Sequence, residues 1–186
     1  LIREWFNESQ LEIPEFVNEN IYYLGQSYAF FWKNINIDPL FNGNNISNNK
    51  EFDQYLKRLG YSFKNENYEH SGYVSLSDKK ISLIMDIGPS PAKKFSNNYQ
   101  AGALSFEFSS NENKIFTNSG IYQKENLKLK KISRSSAQHN TLTIDDNSSC
   151  KFDYKNHNYE IKNNLNKIKK NIVFEKNYWK ISASHN

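Results

Sequence analysis

The sequence predicts a mainly β chain: an antiparallel two-layer β-sandwich preceded by a short N-terminal helical lead-in. Apolar residues recur at helical spacing only ahead of residue 60, and from Gly72 onward apolar and polar residues alternate in short runs separated by Asp-Lys, Pro, Asn and Ser clusters. Composition adds a third observation. A length of 186 residues suits one domain with a real core, and 15% aromatic content offsets a mean hydropathy of -0.83, because each ring buries a large area.

From Pro14 to about Trp32, the residues Phe16, Val17, Ile21, Leu24, Tyr28 and Phe31 follow helical spacing, with Pro14 where a first helical turn tolerates it. This predicts one helix. The stretch "IDPLFNGNNISNN" is turn-forming, and "KEFDQYLKRLG" then predicts a short amphipathic helix through Phe52, Tyr55, Leu56 and Leu59, stopped by Gly60. A boundary between residues 60 and 70 divides a helical segment and linker, 1–66, from a β-domain, 67–186. Strands are predicted in "GYVSLS", "KISLIMDIG", "ALSFEFSS", "NKIFTNSG", "HNTLTIDD", "CKFDYK", "NKIKKNIVFEK" and "YWKISASH". In "ALSFEFSS" the alternation sends Leu104, Phe106 and Phe108 to one face and Ser105, Glu107 and Ser109 to the other. Leu142 and Ile144 share a face of "HNTLTIDD", and these five apolar residues are expected in the core. The final "YWKISASHN" ends without a turn, so a sheet partner is expected beyond Asn186 and the domain is expected to be incomplete at both ends.

The net charge of +4 comes from scattered basic residues, with no Arg-rich helix. A nucleic-acid-binding β-domain would rest on that mild charge and on exposed aromatics alone. The single cysteine, Cys150, excludes an intrachain disulfide and any multi-cysteine zinc site. No apolar run approaches the roughly 20 residues of a membrane span.

Four polar stretches could carry chemistry. In "SRSSAQHNTLTIDD", Arg134 offers a guanidinium suited to carboxylate or sulfate, and His139 enters on the face of the threonines; a hydrogen-bonded hairpin with a structural histidine fits equally well. "KIFTNSGIYQK" presents Asn118 and Tyr122 around a turn at Gly120. "LIMDIGPSPAKKF" ends a strand at Asp86, which can bond the amides of its own turn. "NNYQAGALSFEF" places Gln100, a lone amide, just ahead of a strand.

Taken in order, the strand with its Asp-x-Gly-Pro turn, "GALSFEFS", "NKIFTNSG", the Arg-Ser-Ser run and "HNTLTIDD" resemble the heparinase II/III-like family of polysaccharide lyases. The resemblance is strongest over residues 70 to 150. "FNG" at 41 to 43 fits the passage from that family's helical α/α toroid into its sandwich, so 1–66 would be the end of a toroid that mostly lies upstream. Many members bind a metal, usually zinc, through a His before the Leu-Ser-Phe-Glu strand, an Asp before Ser-Gly and a His before Asn-Thr. The matching positions here are Gln100, Asn118 and His139. Neutral amides ligate zinc poorly, so no metal is expected, and the three side chains are expected to hold one another by hydrogen bonds.

The reaction implied by the resemblance is β-elimination at a uronic acid, with an acidic polysaccharide or oligosaccharide as the partner. Arg134 and Gln100 would neutralise the substrate carboxylate, with Asn118 beside them at the substrate. His139 or Tyr122 would support the base. The principal catalysts would lie in the toroid, so this portion alone is expected to be inactive. A noncatalytic scaffold, or a carbohydrate-binding module using Tyr122 or Trp179, is the alternative. Members of the family are usually exported, which implies the periplasm or cell envelope.

Overall fold

In a computed structural model, the residues described are 2–33, 38–44, 49–65, 67–111, 113–122, 124–154, 159–166, 168–176 and 178–185. Helix α1 spans Ile2–Glu8 and α2 spans Glu15–Tyr28, the latter running on into a π-helical turn at Ala29–Lys33. Pro14 sits at the N-cap of α2, where its fixed φ and missing N–H cost nothing. Helix α3, Asn49–Arg58, closes with Gly60 at φ 81. Five strands follow: β1 (Glu69–His70), β2 (Tyr73–Ser77), β3 (Ile81–Asp86), β4 (Phe106–Ser110) and β5 (Asn113–Phe116). They form one antiparallel sheet in sequential order, a meander. After helix α4, Leu127–Ser133, a hairpin of β6 (Ile168–Glu175) and β7 (Tyr178–His185) forms the second β layer.

Sheet register explains how the layers assemble. Val74 pairs with Met85 and Leu76 with Leu83, so these side chains share a face, and on it Ile172, Trp179, Ile181 and Ala183 of the hairpin pack against Val74, Leu76 and Ile87. The opposite face carries Tyr73 and Ile84, which meet Phe30, Phe31 and Phe41 of the helical lead-in. The five-stranded sheet is therefore covered on both sides.

That double cover corrects the expected burial. Phe106 and Phe108 are only half-buried, as is Leu104, whereas Ser105 is 1% and Glu107 5% exposed. The polar face is tolerable because it is internally bonded. Glu107 accepts from the backbone N–H groups of Asn118 (2.9 Å) and Leu40 (3.1 Å) and pairs with Lys114 at 3.2 Å, while Ser82 and Ser109 share a 2.5 Å hydroxyl bond. Leu142 and Ile144, expected in the core, are 75% and 61% exposed. "HNTLTIDD" is no strand, because its backbone is spent elsewhere. Asn140 O accepts from Phe106 N, Thr141 Oγ1 donates to Ala103 O, and Asp145 and Asp146 turn the chain through positive φ. "CKFDYK" is likewise reduced to one bridge, Phe152 to Ile161. Helices α1 and α4 were not anticipated. The latter starts at Asn126, whose side chain accepts from Leu129 N.

Candidate functional site

The loop Tyr99–Gly102 ahead of β4 is the hub of the molecule. Gln100 lies at 1% exposure, and its amide reaches three separate segments: Nε2 donates to Gly120 O at 2.9 Å and Ser133 O at 3.1 Å, and Oε1 accepts from Gly43 N at 3.3 Å. Ser133 is the last residue of α4, so Gln100 satisfies a carbonyl that a helix end leaves without an intrahelical partner. The Gln100 backbone N–H also donates to Asn42 Oδ1 at 3.0 Å. Asn42 and Gly43 both take positive φ, 47° and 88°, the Asn-Gly turn chemistry that "FNG" encodes.

Asn118 and His139 are drawn to the same neighbourhood by backbone bonds. Asn118 Oδ1 accepts from Asn140 N at 2.9 Å, Ser119 N donates to Gln138 O at 3.2 Å, and the His139 ring lies against Gly102, where an added Cβ would sit 3.4 Å from it. None of Gln100, Asn118 and His139 bonds another directly. This corrects the expectation of a mutual hydrogen-bonded triad, because the backbone claims the amides first. Asn118 Nδ2 and His139 Nε2 are both buried without a hydrogen-bond partner. Burial pushes His139 down to about 4, so it is neutral at physiological pH.

Arg134, expected at a substrate carboxylate, has no exposed surface. Its Nε, NH1 and NH2 groups donate to the carbonyls of Tyr99 (2.8 Å), Tyr159 (2.7 Å) and Ser96 (2.9 Å), and the guanidinium lies 3.8 Å from the centre of the Phe152 ring. It clamps loops from the C-cap position of α4. Tyr122 is half-buried, with its N–H donating to Ser133 Oγ. Of the five sequence candidates, Tyr122 and His139 retain partial exposure, although the His139 Nε2 atom is sealed.

A second polar cluster adjoins the Asn-Gly turn and was missed as a unit in the sequence. Asn42 Nδ2 donates to the Tyr73 hydroxyl at 2.5 Å, and Asp86 accepts from Gly88 N at 3.1 Å, the turn bond anticipated for it. Desolvation by burial outweighs the lowering influence of the Gly88 N–H and of the neighbouring Asn42 and Tyr73 and holds the Asp86 carboxyl up at about 7; the same burial raises Tyr73 and Tyr99. A Gly at position 43 following Asn42 was the available signal.

Among the described residues, no group of three or more His, Cys, Asp or Glu side chains converges as a metal site would. No helix among them is long and apolar enough to cross a membrane. His157 lies outside the described residues.

Residues 63–186 match the family described as "Heparinase II/III-like, C-terminal". Solved structures with a similar fold include a heparinase III (20% identity, TM-score 0.56), covering 77% of this chain and 29% of that one. A heparinase III gene product is 19% identical over 73% of this chain and 25% of its own, with TM-score 0.57. A mutant of the heparan sulfate lyase HepC from Pedobacter heparinus is 15% identical at TM-score 0.57, over 84% and 26% of the two chains. The chain thus spans about a quarter of the length of the solved structures it matches. No curated protein matches it.

Proposed function

The chain belongs to the heparinase II/III-like family, and on that premise we propose that it is the sandwich portion of a polysaccharide lyase that cleaves uronic-acid-containing glycans by β-elimination. The family match across the β-domain is the observation that carries this reading. In the reaction the C5–H bond breaks next to the uronate carboxylate, the C4–O bond breaks, a C4=C5 double bond forms, and the leaving glycosidic oxygen takes up a proton. An enzyme must neutralise the carboxylate, place a base at C5 and protonate the leaving oxygen.

The burial of the candidates supports a division of these tasks. Gln100, Asn118 and Arg134 are buried and engaged with backbone, so they act as positioning residues that fix the loops of the site. Tyr122 is the candidate with an accessible surface for substrate, and the acid and base come from a helical domain preceding this one. A groove of about 880 Å³ between α1, α2 and α3, lined by Phe6, Phe16, Leu24, Phe52, Leu56 and Phe63, supports this reading, because it leaves an apolar surface against which such a domain would pack. An exported protein, in the periplasm or cell envelope, is the setting that fits an extracellular glycan.

The alternative, a carbohydrate-binding module, is favoured by one feature. Tyr68, Phe174 and Trp179 form a run of near-parallel rings, with centroids 6.4 and 6.2 Å apart, on a partly exposed surface. Incubating the full-length protein with heparan sulfate, heparin and polyuronates separates the two. The lyase reading expects a product with the ultraviolet absorbance of a conjugated unsaturated uronate; glycan binding without that product from any acidic glycan supports the module instead.

A further inference from the structure

The family resemblance implies a metal centre at the positions of Gln100, Asn118 and His139, and the donor set here does not fit one. A zinc ion needs three or four lone pairs converging on one point. Both ends of Gln100 are taken, and its orientation is fixed. Turning the amide over would set its oxygen against the carbonyls of Gly120 and Ser133 and its NH2 against the Gly43 N–H. Asn118 is fixed in the same way, because its oxygen accepts from Asn140 N, leaving an NH2 group as the buried, unpartnered end. That end carries partial positive charge and repels a cation. Of the three side chains, His139 alone offers an unpartnered ring nitrogen, Nε2, as a ligand.

We infer that this centre is metal-free by construction, and that Gln100 is the cross-link joining the Asn-Gly turn at Asn42 and Gly43, the turn at Gly120 and the C-terminus of α4. The three segments are distant in sequence and converge on one amide, so the role a metal would have in drawing loops together is carried by three hydrogen bonds. This inference is independent of whether the protein cleaves glycan.

The test uses the full-length protein purified without added metal. Its zinc content is measured, and its melting temperature is recorded with chelator and with added zinc. Substoichiometric zinc and no shift in either condition are expected. Stoichiometric zinc, or a drop in melting temperature on chelation, overturns the inference.

Gln100→Glu discriminates further, because a carboxylate is the better metal ligand but the worse cross-link. It presents an anionic oxygen to two carbonyls and loses both donated bonds. A fall in melting temperature on the order of 10 °C, not restored by zinc, is expected. Failure of this variant to fold has the same meaning. Gln100→Met keeps the volume without charge, and a smaller fall, again insensitive to zinc, is expected. Wild-type stability in the Met variant would show that Gln100 is not the cross-link, and zinc-dependent stabilisation of the Glu variant would overturn the inference that the centre excludes a metal by construction.

Discussion

Desolvation at Asp86 keeps a proton on the carboxyl up to about pH 7, whereas at His139 the same effect keeps one off the imidazole down to about pH 4. In the unfolded chain the two groups return to 3.8 and 6.5. For Asp86, the unfolded state ionises first as pH rises through 3.8, so the contribution to stability is present at low pH and is lost as pH climbs toward 7. For His139, the unfolded state takes up a proton first as pH falls through 6.5, so its contribution is present above 6.5 and is lost on the way down to 4. Between about pH 4 and 6.5 the two linkages oppose and cancel. Single variants should unmask them. Asp86→Asn is expected to lose roughly 3 kcal/mol of stability on acidification from pH 6.5 to 4, relative to the wild type, and His139→Gln to lose a similar amount as pH rises from 4 to 6.5. Denaturant titrations at several pH values measure this. Parallel profiles for wild type and both variants would mean that neither group titrates as its burial implies. The residue scale also shows where sequence reading fell short: Arg134, Gln100 and Asn118 were legible as special, but what each bonds was not, because backbone carbonyls carry no signature in sequence.

Elements with strong local signals were legible. The helical spacing of α2, the Gly60 stop after α3 and the alternation of β2 to β7 all correspond to observed structure. Leu142 and Ile144 alternate just as well, yet sit in a loop, since alternation says which side chains share a face and not whether a partner strand is free to pair. The inversion of burial on β4 has the same origin: Glu107 is polar by sequence, and only the tertiary arrival of Leu40, Lys114 and Asn118 makes its burial affordable. Element packing yields its own prediction at the β1–β2 turn. Gly72 has φ 84, its carbonyl accepts from Ile87 N at 2.8 Å, and an added Cβ would lie 2.8 Å from Gly88 Cα. Gly60 has a similar φ of 81 with open space around it. Gly60→Ala should therefore cost about 1 kcal/mol from backbone strain alone, and Gly72→Ala about 2 to 4 kcal/mol from strain plus backbone overlap. Urea midpoints of the two variants give the comparison, and equal losses would mean that the Gly72–Gly88 approach carries no energetic weight.

On the scale of the whole molecule, the two ends of the fold differ in how completely they bury what the sequence marks as apolar. The sheet is covered on both faces, but α2 turns only part of its apolar stripe inward. Val17 and Tyr28 are buried, while Phe16 and Leu24, on the same predicted stripe, are 62% and 64% exposed and line the groove beside α1 and α3. Soluble proteins seldom leave so large a contiguous apolar surface open. If a preceding helical domain fills the groove, the cost of a polar substitution there depends on whether that domain is present. In the full-length protein Phe16→Ser and Leu24→Ser should each lose roughly 1.5 to 3 kcal/mol, the transfer free energy of a side chain that becomes fully covered. Tyr22 is equally exposed, at 63%, but does not line the groove, so Tyr22→Ser serves as the control and should change stability by less than about 0.5 kcal/mol. Thermal melts of the three variants decide the matter. Losses confined to positions 16 and 24 would mark the groove as an interdomain seat, whereas three neutral substitutions would show that this surface stays open to solvent in the complete protein.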